Sequence, residues 1–172
     1  MKKFIFFVYL VPFLFSIPVG MAYNSTASMP VGWYLLFTPQ NIKTGDTVLA
    51  CVPDNDYSSQ GISRGYIPVS ETGKCPMDTV YIVKKVAAVP GDEVKLAESG
   101  ITVNGHPTPY KVILHSPGRE DVPISHFPYG NYDVDGYFLI STYNRLSYDS
   151  RYFGYVGKRD IYYKALFMGK SL

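Results

Sequence analysis

The chain opens with a long apolar segment and then changes to short apolar stretches separated by turns. Residues 4–23 contain no charged side chain, and Lys2 and Lys3 stand directly before them. At ~1.5 Å rise per residue, a helix over these positions would be about 30 Å long, the thickness of the hydrocarbon core of a bilayer. The pattern therefore predicts one N-terminal transmembrane helix, with the lysines inside the cell and the rest of the chain translocated.

Two interpretations of this N-terminal segment remain open. The charged start and the small residues Gly20 and Ala22 are typical of a cleaved signal peptide, whereas the length of the apolar run favours a retained anchor. We favour the anchor, because the candidate nucleophile described below follows it closely. The chain is thus divided into residues 1–23, a membrane anchor or signal segment, and residues 24–172, an extracytoplasmic domain.

Beyond the anchor, the pattern predicts a mainly β domain. Short β-branched and aromatic runs are bounded by Gly, Pro, Asn and Asp, which is typical of strands joined by turns. Predicted strands cover residues 33–37, 47–50, 80–89, 93–96, 101–103 and 137–140. Residues 161–168 fit either a strand or a short helix, and Asn104-Gly105 is typical of a hairpin turn. Residues 52–76 are polar and are predicted to be an insertion or flap, while residues 107–132 are expected to form extended loops.

Composition narrows the function. A net charge of only +2 on 172 residues gives no indication of a nucleic-acid surface. Cys51 and Cys75 flank the insertion, and in a translocated domain they can be oxidised, so we predict a disulfide rather than two free thiols. They are too few and too far apart for a structural zinc site. We therefore predict no metal, and no feature of the sequence indicates a cofactor.

A candidate nucleophile, Ser28, lies in the segment of residues 24–32, just beyond the anchor. A serine hydroxyl is a poor nucleophile until a base accepts its proton, and histidine is the usual base. The three histidines, His106, His115 and His126, fall in a Pro-rich stretch, and none has an acidic neighbour at a triad spacing. We interpret them as loop residues.

A buried lysine is the alternative base. The ordinary lysine pKa of ~10.4 is too high for this role, but burial can lower it by several units. Lys84 and Lys85 lie inside the apolar run of residues 80–89, and strand alternation would turn one inward and the other outward. The residues alone leave open which lysine is buried, or whether both are ordinary edge-strand lysines.

Three segments, in this order, resemble the S26 signal peptidase family. Ser28-Met29-Pro30 matches a serine that precedes Met and Pro just outside the membrane anchor. Lys84 stands six positions before Pro90-Gly91-Asp92, and residues 149–154 match an Asp-Ser-Arg-Tyr-aromatic-Gly run near the C-terminus. The resemblance implies a fold of coiled antiparallel sheets, the signal-peptidase catalytic core.

Within that family, the Ser-x-Pro-x-Gly form with Asn24 and Thr26 ahead of it looks most like the TraF branch, whose members process pilin precursors. Typical signal peptidases carry a Gly-Asp-Asn-Arg run shortly before the Asp-Ser-Arg segment. Here residues 141–145 read Ser-Thr-Tyr-Asn-Arg and do not match it. This departure weakens the interpretation as a general signal peptidase and favours the TraF branch.

The resemblance also implies a role for each matching position. Ser28 would be the nucleophile and Lys84 the base. The Ser28 amide and the Thr26 hydroxyl would form the oxyanion hole, and Ser147 would hydrogen-bond the lysine amine. Asp149 would pair with a nearby arginine.

The arginine that pairs with Asp149 would be Arg151, and their ion pair would brace the site. A purely structural salt bridge is compatible with this assignment. The implied location is the bacterial inner membrane, with the catalytic domain on the periplasmic side. The implied partners are the membrane and a precursor protein, and no nucleic acid.

The expected function is that of a membrane-bound serine endopeptidase with a Ser/Lys dyad. It would cleave a translocated precursor such as a conjugative pilin. The sequence leaves open whether it also cyclises the product, as some TraF relatives do. One alternative is a general type I signal peptidase that removes leader peptides. Another is a self-cleaving Ser–Lys repressor-type peptidase, against which the anchor and the lack of a DNA-binding helix pair argue. An alternative of another class is a non-catalytic, membrane-tethered assembly protein of a conjugation or secretion apparatus.

Overall fold

Antiparallel pairing of the predicted apolar runs builds the main sheet. The computed structural model describes residues 17–116 and 119–170. In this part of the chain, the main sheet consists, in spatial order, of β1 (Gly20–Asn24), β2 (Gly32–Phe37), β12 (Ile161–Gly169), β3 (Thr47–Ala50), β4 (Ile82–Ala88) and β11 (Phe138–Ile140). The prediction of a mainly β, antiparallel domain is confirmed.

The C-terminal segment is the strand β12 and not a helix. It lies between β2 and β3, and both neighbours pair with it in antiparallel register. An extended segment in this place satisfies backbone groups on both edges, which a helix could not do. Buried side chains pack on both faces of the sheet, with Val48 in one apolar cluster and Leu36 in another.

A smaller sheet covers part of the core. In the described residues its strands are, in spatial order, β10 (Gly130–Asp133), β5 (Glu93–Ala97), β6 (Gly100–Val103) and β7 (His106–Pro107). Asn104 and Gly105 both have positive φ and form the turn between β6 and β7, which confirms the predicted hairpin.

The expectation of extended loops over residues 107–132 is wrong in part. In addition to β10, this stretch contains a hairpin formed by β8 (His115–Ser116) and β9 (Arg119–Pro123). Strand β10 pairs with β5, with Tyr132 opposite Val94. Such short strands depend on pairing with a distant partner, and their Pro and Gly content resembles that of loops.

The insertion of residues 52–76 joins β3 to β4 and contains the helix α1 (Asp56–Ser63). Asn55 caps α1, since its side chain accepts a hydrogen bond of 2.9 Å from the Ser58 amide. The predicted disulfide Cys51–Cys75 is confirmed and ties the two ends of the insertion together. The insertion is therefore held against the main sheet at its base.

The insertion is also attached to the C-terminal part of the chain. Asn55 Nδ2 donates to the carbonyl oxygen of Phe153, the last residue of α2 (Ser150–Phe153), at 2.9 Å. Tyr148, just before α2, donates its hydroxyl hydrogen to the Tyr57 carbonyl at 2.8 Å. The segment predicted to carry supporting site residues therefore packs directly against the insertion.

The predicted membrane span ended at Tyr23, and this boundary is wrong. Residues 20–23 belong to β1, where Ala22 lies opposite Tyr34 and Tyr23 opposite Trp33. Strand β1 is the edge strand of the main sheet, and in the sequence alone an apolar edge strand is indistinguishable from the end of an apolar span. The helices found within residues 17–116 and 119–170 are all too short or too polar to cross a bilayer. The rest of the predicted anchor, up to residue 16, lies outside the described residues.

Replacing both Cys51 and Cys75 with Ser is expected to lower the free energy of unfolding by about 3 kcal/mol, because the cross-link restricts the unfolded chain. Urea denaturation of the detergent-solubilised full chain, followed by fluorescence of its single tryptophan, measures the change. Reduced wild type should unfold at the same urea concentration as the double variant. Equal midpoints for oxidised wild type and the variant would show that the bridge contributes no stability.

Candidate active site

Ser28 lies in the loop that joins β1 to β2, and this loop is anchored on both sides of the serine. Met29 is buried in the same apolar cluster as Tyr34 and Leu36. The Tyr34 hydroxyl donates to the carbonyl oxygen of Pro30 at 2.8 Å. Because the Met29 side chain and the Pro30 carbonyl are both held in place, the loop presents Ser28 in a defined position.

Asn24, the last residue of β1, organises the same loop from within. Its Nδ2 lies 2.9 Å from the carbonyl oxygen of Thr26, 3.1 Å from that of Met29 and 3.2 Å from that of Pro30. Its Oδ1 accepts from the Thr26 amide and the Thr26 hydroxyl. The sequence motif includes Asn24 but gave it no role. Its role becomes visible only in the folded loop, where the buried side chain reaches carbonyl oxygens up to six residues away in sequence.

Thr26 and Ser28 are hydrogen-bonded through their hydroxyl groups, with an Oγ1–Oγ distance of 3.0 Å. A hydroxyl has one hydrogen to donate, and Thr26 gives its own to Asn24 Oδ1 at 2.8 Å. Ser28 is therefore the donor to Thr26 in this structure. The expected proximity of Thr26 to the nucleophile is present, and Thr26 must leave Asn24 before it can donate to an oxyanion.

Strand β4 places its two adjacent lysines on opposite faces. Lys84 is 3% exposed and lies opposite Val48 in the neighbouring strand. Lys85 is partly exposed, and its Nζ donates to the Gly45 carbonyl at 2.9 Å. The structure thus answers the question that the residues left open, since Lys84 is the buried lysine.

Burial lowers the pKa of Lys84 to about 8, because an ammonium group loses its hydration in the sheet. Asp149 raises this pKa and Arg151 lowers it, both by less than burial does. With a pKa near 8, about a tenth of the Lys84 side chains are neutral at pH 7. A neutral amine is the form that can accept a proton from a serine.

Ser28 and Lys84 line one cavity of about 510 Å³, which we call the Ser28–Lys84 cavity. The structure therefore brings together the predicted nucleophile and base, with Thr26 at the same cavity. Its other walls come from β1, the ends of β3 and β4, and the insertion. Its lining includes Asn24, Tyr66, Ile67 and Tyr148.

Asp149 and Arg151 form the predicted ion pair, and both are buried. Arg151 Nε lies 2.7 Å from Asp149 Oδ1, and Nη2 lies 2.9 Å from Oδ2. The guanidinium group also donates to the carbonyl oxygens of Lys111, Arg145 and Ser147. The two-point geometry and the further carbonyl partners satisfy charges that would otherwise be costly to bury.

Asp149 also connects to the nucleophile loop through Ser141, which the sequence did not single out. The Ser141 amide donates to Asp149 Oδ2 at 2.9 Å. The Ser141 hydroxyl donates to the carbonyl oxygen of Ser28 and accepts from the Asn144 amide. The stretch that departs from the typical signal-peptidase run therefore links the ion pair to the candidate nucleophile.

Ser147 does not make the hydrogen bond to the lysine amine that the resemblance implies. Its side chain is buried, and its Oγ has no hydrogen-bond partner among the described residues. Its carbonyl oxygen accepts from Arg151. In this structure, Ser147 contributes through its backbone to the support of the ion pair.

The two histidines with described side chains lie away from the cavity lining. His106 is exposed, and the His126 ring contacts Tyr129 and the carbonyl oxygen of Phe127. Across residues 17–116 and 119–170, no group of three or more His, Cys, Asp or Glu side chains is arranged to hold a metal ion.

Comparison with known proteins identifies the family. The family model described as "Signal peptidase, peptidase S26" matches residues 2–169. The chain belongs to the S26 signal peptidase family. The resemblance drawn from Ser28, Lys84 and the run at residues 149–154 is thereby confirmed.

Curated relatives of this S26 chain are similar over most of their length. The plasmid transfer protein TraF of Escherichia coli is 33% identical over 150 residues, which cover 83% of this chain and 78% of that protein. The conjugal transfer protein TraF of Agrobacterium fabrum is 32% identical over 138 residues, which cover 78% and 74%. The similarity to the TraF branch is thus confirmed as well.

The lowered pKa of Lys84 predicts how stability depends on pH. Between about pH 8 and the ordinary value of 10.5, the unfolded state binds more protons than the folded state. The free energy of unfolding contributed by this group should therefore rise with pH across that window. The cost of burying the ammonium is present in full below about pH 8 and is absent above about pH 10.5.

Lys84→Met removes this titration. Urea denaturation at a series of pH values should find the variant more stable than wild type below pH 8, by up to about 3 kcal/mol. The difference should shrink steadily towards pH 10.5. A difference that stays constant over the window would contradict the burial of a titrating Lys84.

Replacing Asn24 with Ala is expected to slow labelling of Ser28 by a serine-directed acylating reagent by about tenfold, the effect of losing one to two hydrogen bonds. Asn24→Asp keeps the acceptor for Thr26 and loses the donors, so its rate should lie between those of wild type and Asn24→Ala. Asn131→Ala, which changes an exposed asparagine on β10, is the matched control. Wild-type labelling rates in Asn24→Ala would show that the loop does not depend on Asn24.

Proposed function

We propose that this chain is a membrane-bound serine endopeptidase that cleaves a translocated precursor protein through Ser28 and Lys84. The observation that supports this most directly is the Ser28–Lys84 cavity, in which a serine hydroxyl and a buried lysine of lowered pKa line the same space. Membership of the S26 peptidase family supports the reaction class. The relatives named for plasmid and conjugal transfer support a role in conjugation. The proposed substrate, a pilin precursor, comes from the resemblance to the TraF branch.

In the first step, the neutral amine of Lys84 takes the proton from Ser28 Oγ. The oxygen then forms a bond to the scissile carbonyl carbon, and the carbonyl oxygen becomes an oxyanion. The Ser28 amide and the Thr26 hydroxyl are the proposed donors to this oxyanion, each worth roughly 2.7–4 kcal/mol of the barrier. The carbon–nitrogen bond breaks, the Lys84 ammonium returns its proton to the leaving amine, and an ester to Ser28 remains.

In the second step, Lys84 takes a proton from the acceptor that attacks this ester. Water as the acceptor releases a trimmed protein and restores the Ser28 hydroxyl. The substrate's own amine as the acceptor closes a cyclic peptide and also restores the hydroxyl. Both outcomes use the same serine and lysine, so cyclisation requires only that the amine reaches the ester before water does.

A location at the outer face of the inner membrane is part of this proposal. Ser28 follows β1 closely, and β1 follows the predicted anchor, so the nucleophile would lie near the membrane surface. The Cys51–Cys75 disulfide supports an oxidising compartment such as the periplasm. The cleavage site of a precursor that is itself inserted in the membrane would then lie at the same distance from the membrane as the cavity.

The adjacent lysines provide a matched test. Lys84→Ala should slow processing of a co-expressed pilin precursor by at least about a hundredfold, the lower range for loss of a general base. Ser28→Ala should slow it at least as much, because it removes the nucleophile. Lys85→Ala should process normally, because Lys85 lies on the opposite face of β4. Processing is followed by precursor mass, and the Ser28 adduct by mass spectrometry after treatment with an acylating inhibitor.

Two results would overturn the proposal. Full activity in Lys84→Ala would exclude the dyad while leaving a serine peptidase. No adduct at Ser28 and no processing by the folded wild type would favour the non-catalytic assembly protein instead.

A further inference from the structure

Part of the wall of the Ser28–Lys84 cavity is supplied by the insertion rather than by the main sheet. Tyr66 and Ile67 lie just beyond α1 and line the cavity together with Tyr148. The amides of Tyr66 and Ile67 both donate to the carbonyl oxygen of Gly61 in α1, at 2.8 and 3.2 Å. The position of the wall formed by Tyr66 and Ile67 therefore depends on the position of α1.

Gly61 is the point of closest approach between α1 and the wall. A Cβ at this position would lie 2.6 Å from Cε1 of Tyr148 and 2.8 Å from Cδ1 of Ile67, both far inside van der Waals contact. Both atoms belong to side chains that line the cavity. Gly61 lies inside α1, where alanine has the better helix propensity, so the glycine is explained by this contact rather than by its backbone.

The Tyr148 ring has little freedom to move away from such a methyl group. It stacks on Tyr66 with ring centroids 5.3 Å apart and on Tyr152 with centroids 4.8 Å apart. Its hydroxyl is held by the Tyr57 carbonyl, which is itself part of α1. An added methyl at position 61 is therefore expected to displace the wall formed by Ile67 and Tyr148.

We propose that α1 sets the width of the Ser28–Lys84 cavity through Gly61, so that the insertion selects substrates by the size of the group that enters beside the attacked carbonyl. This inference rests on the proposed function, since it concerns the acyl group transferred to Ser28. Gly61 and Ile67 act here as specificity-determining positions and take no part in the chemical steps.

The test uses the detergent-solubilised full chain and p-nitrophenyl esters of acetic and 3-methylbutyric acid. Release of nitrophenolate gives the rate, and the adduct mass confirms that Ser28 is acylated. Gly61→Ala should raise the preference for acetate over 3-methylbutyrate by about tenfold, the scale of a one-methylene difference in an apolar pocket. Ile67→Val, which removes Cδ1, should move the preference the other way. Ser63→Ala, on the exposed side of the same helix, should leave it unchanged.

The outcomes separate the two proposals. If wild type and Ser28→Ala release nitrophenolate from both esters at the same rate, the proposed function fails and this inference fails with it. If wild type depends on Ser28 but Gly61→Ala and Ile67→Val keep the wild-type preference, only the role of α1 is overturned. Should Gly61→Ala unfold in a thermal melt, Ile67→Val decides alone, and an unchanged or opposite shift overturns the inference.

Discussion

The burial of a lysine amine inside an apolar sheet is the constraint on which the site depends. Lys84 lies in β4 opposite Val48 of β3, and burial there works against its charged form. A lone buried carboxylate nearby would oppose this by holding the ammonium charged. Asp149 is instead paired with Arg151, and the two act on the Lys84 pKa in opposite directions. The ion pair therefore leaves burial as the dominant influence on the lysine.

The same ion pair also fixes the other half of the site. From Asp149, hydrogen bonds run through Ser141 to the carbonyl oxygen of Ser28. From the opposite side, Asn24 holds the loop through three carbonyls and through Thr26. A nucleophile held by its backbone on both sides loses little further freedom when it reacts, which is the advantage of a preorganised site.

Sequence reasoning named the candidate nucleophile and base, which line one cavity, and it predicted most of the main sheet. Its failures have physical causes. Alternation in β4 predicted opposite faces for Lys84 and Lys85, but the choice between the faces depends on pairing with β3 and β11, which are distant in sequence. The contacts of Asn24 and Ser141 depend on the path of the backbone, so their residue types alone could not reveal them. Residues 20–23 were assigned to the span because an apolar edge strand and the end of an apolar helix have the same composition.

The insertion shows how covalent and packing constraints combine around the cavity. The insertion begins beside Cys51, directly after β3, and ends beside Cys75, shortly before β4. The Cys51–Cys75 disulfide holds these two ends together. The insertion therefore brings Ile67 to the same cavity that Lys84 of β4 lines. Contacts of α1 with Tyr148 and Phe153 close the remaining side. The wall is therefore held at its base and along its length, and it is a formed part of the cavity in this structure.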